Sequence, residues 1–121
     1  MVVSAMRLKS GIWVSAYVRR CNVEGASAVV RRRGADEAGA VFIVVNRLDG
    51  TVTLYGPAPQ SAFDEARPSE RMFMAVLGGA MPVAEADADT RLAREVKFDP
   101  DVWIIEVEDR AGRHFLDDLL T

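Results

Sequence analysis

One cysteine, Cys21, and one histidine, His114, are all the chain has of the residues that carry most redox, metal and proton-transfer chemistry. A lone cysteine forms no intrachain disulfide and no cysteine-based zinc motif. A lone histidine leaves little for metal ligation or for acid–base work near neutral pH. No apolar run reaches the ~18 residues that a membrane helix needs. Residues Met1 to Lys9 lack the charged stretch, apolar core and cleavage site of a signal peptide. The expectation is a cytoplasmic protein without a cofactor.

What is present suits an ordinary folded unit. The chain has 121 residues, 50% of them hydrophobic and 27% charged, enough for one domain over residues 1–121 with its own core and too apolar for extended disorder. No internal repeat, low-complexity segment or long linker divides it. Charge is unevenly spread. Residues 1–34 hold Arg7, Lys9, Arg19, Arg20, Arg31, Arg32 and Arg33 against Glu24 alone, a net of +6. The remainder holds eight basic and 17 acidic residues, a net of −9, which restores the overall −3. A basic front marks either a polyanion footprint or one half of a charge pairing closed within the fold. The sequence pI near 5.1 favours the pairing.

Local pattern gives the elements. Ser10 is placed to cap a helix from about Gly11 to Val23, with Ile12, Trp13, Ala16, Tyr17 and Cys21 as its inward stripe and Gly25 as its stop. Ala26 to Arg33 reads as a strand, and Gly34 to Gly39 as a polar loop. Ala40 to Leu48 is apolar on both faces, as in a central strand. Asp49-Gly50 predicts a two-residue hairpin turn with positive φ at both positions, and Thr51 to Tyr55 the returning strand. The stretch from Gly56 to Glu70 reads as an irregular loop. Arg71 to Leu77 is a further candidate strand, although its methionines would also suit a helix. A helix from about Glu85 to Lys97 carries Ala88, Leu92 and Val96 inward and is ended by Asp99-Pro100. Val102 to Glu108 is the last strand, and Arg113 to Thr121 fits a short strand or a helical turn equally. The short connections predict that the first three strands form an antiparallel meander. The fold class is α+β, with a single, mainly antiparallel, four- or five-stranded sheet and two principal helices.

The densest acidic site is the run Phe98 to Arg113, where four apolar residues pass into Glu106, Glu108 and Asp109. Glu106 and Glu108 share a strand face. Carboxylates on a rigid face suit Mg²⁺ or a split acid–base pair; a solvated or ion-paired strand end is the simpler account. In the basic half, Arg19, Arg20, Arg31 and Arg33 are candidate anion-binding residues, with Arg31 and Arg33 expected on one strand face and Arg32 on the other. The 34–39 loop matches neither a dinucleotide fingerprint nor a phosphate loop, and Asp36 and Glu37 would repel an anion. Trp13 and Tyr17 read as core with the Arg20 stem laid over them. Trp103 and Cys21 read as core too. His114 near Asp117 and Asp118, with Ser10, Ser61 or Ser69, makes a formal triad, but no nucleophile-elbow pattern supports it.

Three blocks together carry a family resemblance: Arg7-Leu8 with Trp13-Val14-Ser15-Ala16 ahead of Arg19-Arg20, then Val30 to Val41, then Phe98 to Arg113. In this combination the chain resembles a small uncharacterised family of single-domain bacterial proteins, mainly from alphaproteobacteria, classed as a domain of unknown function. The resemblance implies a standalone cytoplasmic domain. It brings no activity, cofactor or catalytic residue to carry over.

Three functional readings follow. The first is a small non-enzymatic binding or interaction module, acting through a protein partner or as a homodimer. The second is a polyanion- or nucleic-acid-binding domain using the arginine face. The third is a metal-assisted enzyme at Glu106, Glu108 and Asp109. An exposed apolar patch, a contiguous arginine face or a concave acidic pocket would separate them.

Overall fold

The computed structural model describes residues 8–59 and 71–120. Arg7, Ser61, Ser69 and most of the loop after Gly56 therefore lie outside the described residues. The elements are α1 (Ser10–Val23), β1 (Ser27–Arg32), β2 (Val41–Asn46), β3 (Thr51–Pro57), β4 (Phe73–Leu77), β5 (Val83–Ala84), α2 (Glu85–Phe98) and β6 (Trp103–Glu108). This is the expected α+β class, with two helices and a mixed, mainly antiparallel sheet.

Strand order is β1-β6-β2-β3-β4, with β5 paired to β3. β2 and β3 form the expected antiparallel hairpin. The meander is wrong beyond that. β6 lies between β1 and β2, antiparallel to the first and parallel to the second. Every residue of β2 is buried, and β6 is buried except near its end. Alternation then splits the core in two. Trp103, Ile105 and Val107 join Val41, Ile43 and Val45 against Val14, Tyr17 and Cys21 of α1. Val102 and Ile104 join Phe42, Val44 and Leu54 against Ala88 and Leu92 of α2. Each helix thus covers one face, and each fully buried aliphatic side chain stabilises the fold by about 1.5–3 kcal/mol.

Local chemistry explains the ends of α1. Glu24 N–H bonds Arg20 O, Gly25 N–H bonds Asn22 O and Ala26 N–H bonds Cys21 O. Gly25 has φ +94°, so the left-handed stop falls where the sequence places it. The start differs from expectation. Ser10 caps nothing: its buried hydroxyl donates to Gly39 O at 2.6 Å and accepts from Arg71 at 2.9 Å. The first amides of α1 are satisfied by the 34–39 loop instead, Ser10 N–H on Glu37 O and Gly11 N–H on Asp36 O. The inward stripe is Ser10, Val14, Tyr17 and Cys21. Ile12 and Ala16, expected in it, face solvent, because α1 is apolar on several sides and its seat on the sheet selects among them.

Two further expectations change. In the β2–β3 turn, positive φ occurs at Leu48 (63°) and Gly50 (89°), and Asp49 instead accepts from Thr51 N–H and Oγ1. The C-terminal segment is neither strand nor helical turn. It is irregular, with one parallel bridge between Leu119 and Phe73.

Because β6 separates β1 from β2, the loop joining those strands must cross the start of β6. A Cβ on Gly34 or Gly39 would strike the Asp101 carbonyl there. Gly39→Ala is expected to destabilise the protein by about 1–3 kcal/mol in urea unfolding. Faster amide exchange at Ser10 and Gly11 should accompany this, since their acceptors lie in the displaced loop. Wild-type stability and exchange in the variant would contradict the crossing as described.

Candidate functional site

The expected arginine face is not continuous. Register slips between Val30 and Arg32 where β1 meets β6, and this bulge parts Arg31 from Arg33. Arg31 turns toward α2, 3.3 Å from Asp89 and 3.3 Å from Glu106. Arg33 turns toward α1's side, its guanidinium 5.2 Å from the centre of the Trp103 ring. Arg32 donates to Pro100 O and Val102 O. The expected pairing of Arg31 and Arg33 on one face is thereby corrected. Arg20 binds Asp117 through both guanidinium nitrogens, at 2.7 and 3.1 Å, and holds that carboxyl below its ordinary pKa. Arg19 is exposed and makes no ion pair or hydrogen bond among the described residues.

The carboxylates diverge as well. Glu106 accepts from Asn46 at 3.2 Å on the α2 side, where Asn46 also reaches Glu85. Asp109, buried, receives Arg113 at 2.7 Å and the Arg113 amide at 2.8 Å. That guanidinium pulls the Asp109 pKa below the usual carboxylate value. Glu108 is exposed at the strand end. Among the described residues no three His, Cys, Asp or Glu side chains are close enough together to hold a metal ion.

Cys21 is fully buried, and desolvation raises its thiol pKa. Tyr17 donates to His114 O at 2.6 Å, and burial raises its pKa too. His114 Nδ1 accepts the Leu116 N–H at 2.9 Å. Ser10 is engaged with Gly39 and Arg71, so it gives His114 no nucleophile.

What the structure does bring together is a groove between α1 and the free edge of β1. Ile12, Val18, Val30 and Trp103 form its apolar part, and Arg19 and Arg33 its basic part, around about 640 Å³. Ile12 is 54% exposed and Val30 43% exposed. Asp36 also lines the groove, directed at Gly11 and the start of α1. Sequence reading found the two arginines and placed Trp103 correctly in the core, where its ring edge also reaches the groove, but it wrongly placed Ile12 there. No local signal marks Val30 as an edge residue, since strand order alone decides that.

A family described as "Protein of unknown function (DUF1491)" matches residues 8–117. The crystal structure of a DUF1491 family protein from Caulobacter crescentus is 37% identical, with TM-score 0.76 over 96% of this chain and 100% of that one. An NMR structure of a DUF1491 family protein from the same bacterium gives 37% identity and TM-score 0.76 over 96% and 99%. The solution structure of a protein from A. tumefaciens is 43% identical, with TM-score 0.71 over 85% of this chain and 86% of that one. No curated protein matches the chain. Among the described residues no helix is long and apolar enough to cross a membrane.

His114 gives this region a defined pH response. Burial lowers its pKa from the ordinary value near 6.5. The unfolded chain therefore takes up this proton first as pH falls. The stability linked to His114 is complete above about pH 6.5 and is lost as pH drops through the folded value. The urea midpoint should fall between about pH 7.5 and pH 5.5, and His114→Gln should flatten that fall. Equal slopes in the two proteins would remove His114 as the cause.

Proposed function

We propose, from the premise that the chain belongs to the DUF1491 family of proteins of unknown function, that it is a non-catalytic binding module for an extended acidic segment of a partner protein, laid along β1 beside α1. One observation carries this reading: the two edges of the sheet are treated differently. At the β4 edge the C-terminal segment supplies bonds, Phe73 N–H to Asp118 O and Leu120 N–H to Phe73 O. At the β1 edge no strand of the described residues pairs with the outer side.

An open edge is a row of backbone donors and acceptors ready for another strand. Added strands gain affinity from main-chain bonds and specificity from side chains that alternate into pockets. On one side of β1 the groove offers Ile12, Val18 and Val30 to an apolar residue, with Arg19 and Arg33 beside them for a carboxylate. The bulge before Arg32 limits the regular edge to Ser27–Val30, which suits a short segment and discourages open-ended sheet extension.

The partner is acidic protein rather than nucleic acid on the same evidence of charge. Of the four candidate arginines, Arg31 already holds two carboxylates and Arg20 lines the cavity on the far flank of α1, leaving Arg19 and Arg33 where a phosphate track would use a longer row.

Backbone amide NMR tests the reading with three probes: a hexapeptide alternating valine and glutamate, its valine–lysine counterpart, and a single-stranded oligonucleotide. The acidic peptide is expected to shift the amides of residues 26–33 and the first turns of α1. The double variant Arg19→Glu, Arg33→Glu should weaken that binding about tenfold or more. Silence of these amides, equal binding of the lysine peptide, or unchanged affinity in the variant would overturn the proposal. Oligonucleotide binding lost in the same variant would replace it with the polyanion reading. Concentration-dependent dimerisation through these same amides would replace it with self-association.

A further inference from the structure

α1 has a second flank, and a separate cavity of about 260 Å³ opens there against β4 and the C-terminal segment. Its wall is aromatic: Trp13, Tyr17, Phe73 and Phe115 line it. Trp13 stacks on Tyr17 with ring centres 5.0 Å apart and planes at 11°, and lies 5.1 Å from Phe73. Two arginines and two aspartates form the charged part of the lining: Arg20, Arg71, Asp117 and Asp118.

Three properties narrow the ligand. The volume lies just below the usual range of about 300–1,000 Å³ for drug-sized ligands, which is the scale of a single amino acid. The aromatic wall selects an apolar, preferably flat, side chain. The charges balance, so the cavity favours a ligand that carries both signs and no net charge. Arg20 and Asp117 supply the means. Their side chains are 49% and 72% exposed, and such an exposed pair contributes little to stability. Opening it costs little and releases a guanidinium fork beside a carboxylate.

The backbone adds an independent observation. Phe115 has φ +57°, a left-handed conformation that a bulky aromatic residue rarely adopts. It is held there from several sides: Tyr17 O–H on His114 O, Leu116 N–H on His114 Nδ1, and the Arg113 guanidinium 4.9 Å from the Phe115 ring centre. Strain maintained by so many restraints is a feature of ligand-holding segments, and here it sets a cavity wall.

We infer that this cavity binds a free hydrophobic α-amino acid, its side chain against Trp13 and Phe115, its carboxylate on Arg20 and its ammonium on Asp117. The inference does not depend on docking at β1, which uses the opposite flank of α1.

Tryptophan fluorescence and thermal shift test it with L-phenylalanine, N-acetyl-L-phenylalanine, L-phenylalaninamide and L-leucine. Trp103→Phe leaves Trp13 as the only tryptophan, and L-phenylalanine is expected to change its emission saturably and to raise the melting temperature. Blocking either charged group should weaken binding about tenfold. The charge swap Arg20→Asp, Asp117→Arg keeps an ion pair and should melt like the wild type, yet lose the amino acid. No saturable change would overturn the inference. So would equal binding of the blocked analogues, or wild-type affinity in the swap, since either would leave only a greasy surface.

Discussion

The position of β6 between β1 and β2 is the constraint on which the rest of this structure depends. A strand paired on both sides, buried on both faces, supplies side chains to both halves of the core at once. Its arrival also separates two strands that are neighbours in the chain. The connection from β1 to β2 must then cross the β6 entrance, where Ala35 N–H bonds Asp101 O and the Trp103 indole donates to Ala35 O. The same loop offers the carbonyls of Asp36 and Glu37 to the first amides of α1. Strand order, loop course and helix seat are therefore one event. Because β6 is the one strand among the described residues that pairs with β1, the final assembly joins residues about eighty positions apart, a contact of the kind that slows folding.

Electrostatics follows from that order. Putting β1 beside β6 sets the arginine-rich strand against the acidic one, and Arg31 reaches Glu106 directly. Arg20 closes a second link from the basic front to Asp117 at the far end of the chain. The cancellation is incomplete for a geometric reason. The bulge turns Arg33 away from the acidic side and onto the face of Trp103, where a cation is favoured by the ring without being neutralised. Arg19, on an exposed position of α1, meets no carboxylate among the described residues. Of the four candidate arginines, the two left without a carboxylate among the described residues thus both lie at the groove.

The elements were legible in the sequence because each depends on local pattern. Gly25, Asp99-Pro100 and the period of Ala88, Leu92 and Val96 fix helix ends and faces without reference to anything distant. What was not legible depends on neighbours. Ile12, Trp13, Val14, Ala16, Tyr17, Val18 and Cys21 surround most of α1, so periodicity offered more than one stripe, and packing on the sheet chose Val14 over Ile12. Ser10 has the composition of a cap and the burial of a core hydroxyl; only the approach of Gly39 and Arg71 distinguishes these. Alternation assigned Arg31 and Arg33 to one face, and a single extra residue in β1 reversed that. The family resemblance carried by the 7–20, 30–41 and 98–113 blocks held, and it covers the segments that lock together around the β6 entrance.

α1 explains why the candidate sites sit where they do. Its buried stripe leaves two flanks, and residues seven apart fall on nearly the same line of a helix. Ile12 and Arg19 make such a pair on the flank facing β1; Trp13 and Arg20 make another, one residue on, facing the C-terminal segment. Each flank therefore presents an apolar side chain two turns before a guanidinium. The flanks differ in what meets them. On one, the C-terminal segment answers with Asp117 and a strained Phe115, closing a cavity of small-molecule size. On the other, the sheet ends at β1 with no further strand among the described residues, leaving backbone as well as side chains open. The same short pattern thus borders a small aromatic pocket on one side and an open sheet edge on the other, and the difference is set by strand order rather than by the helix itself.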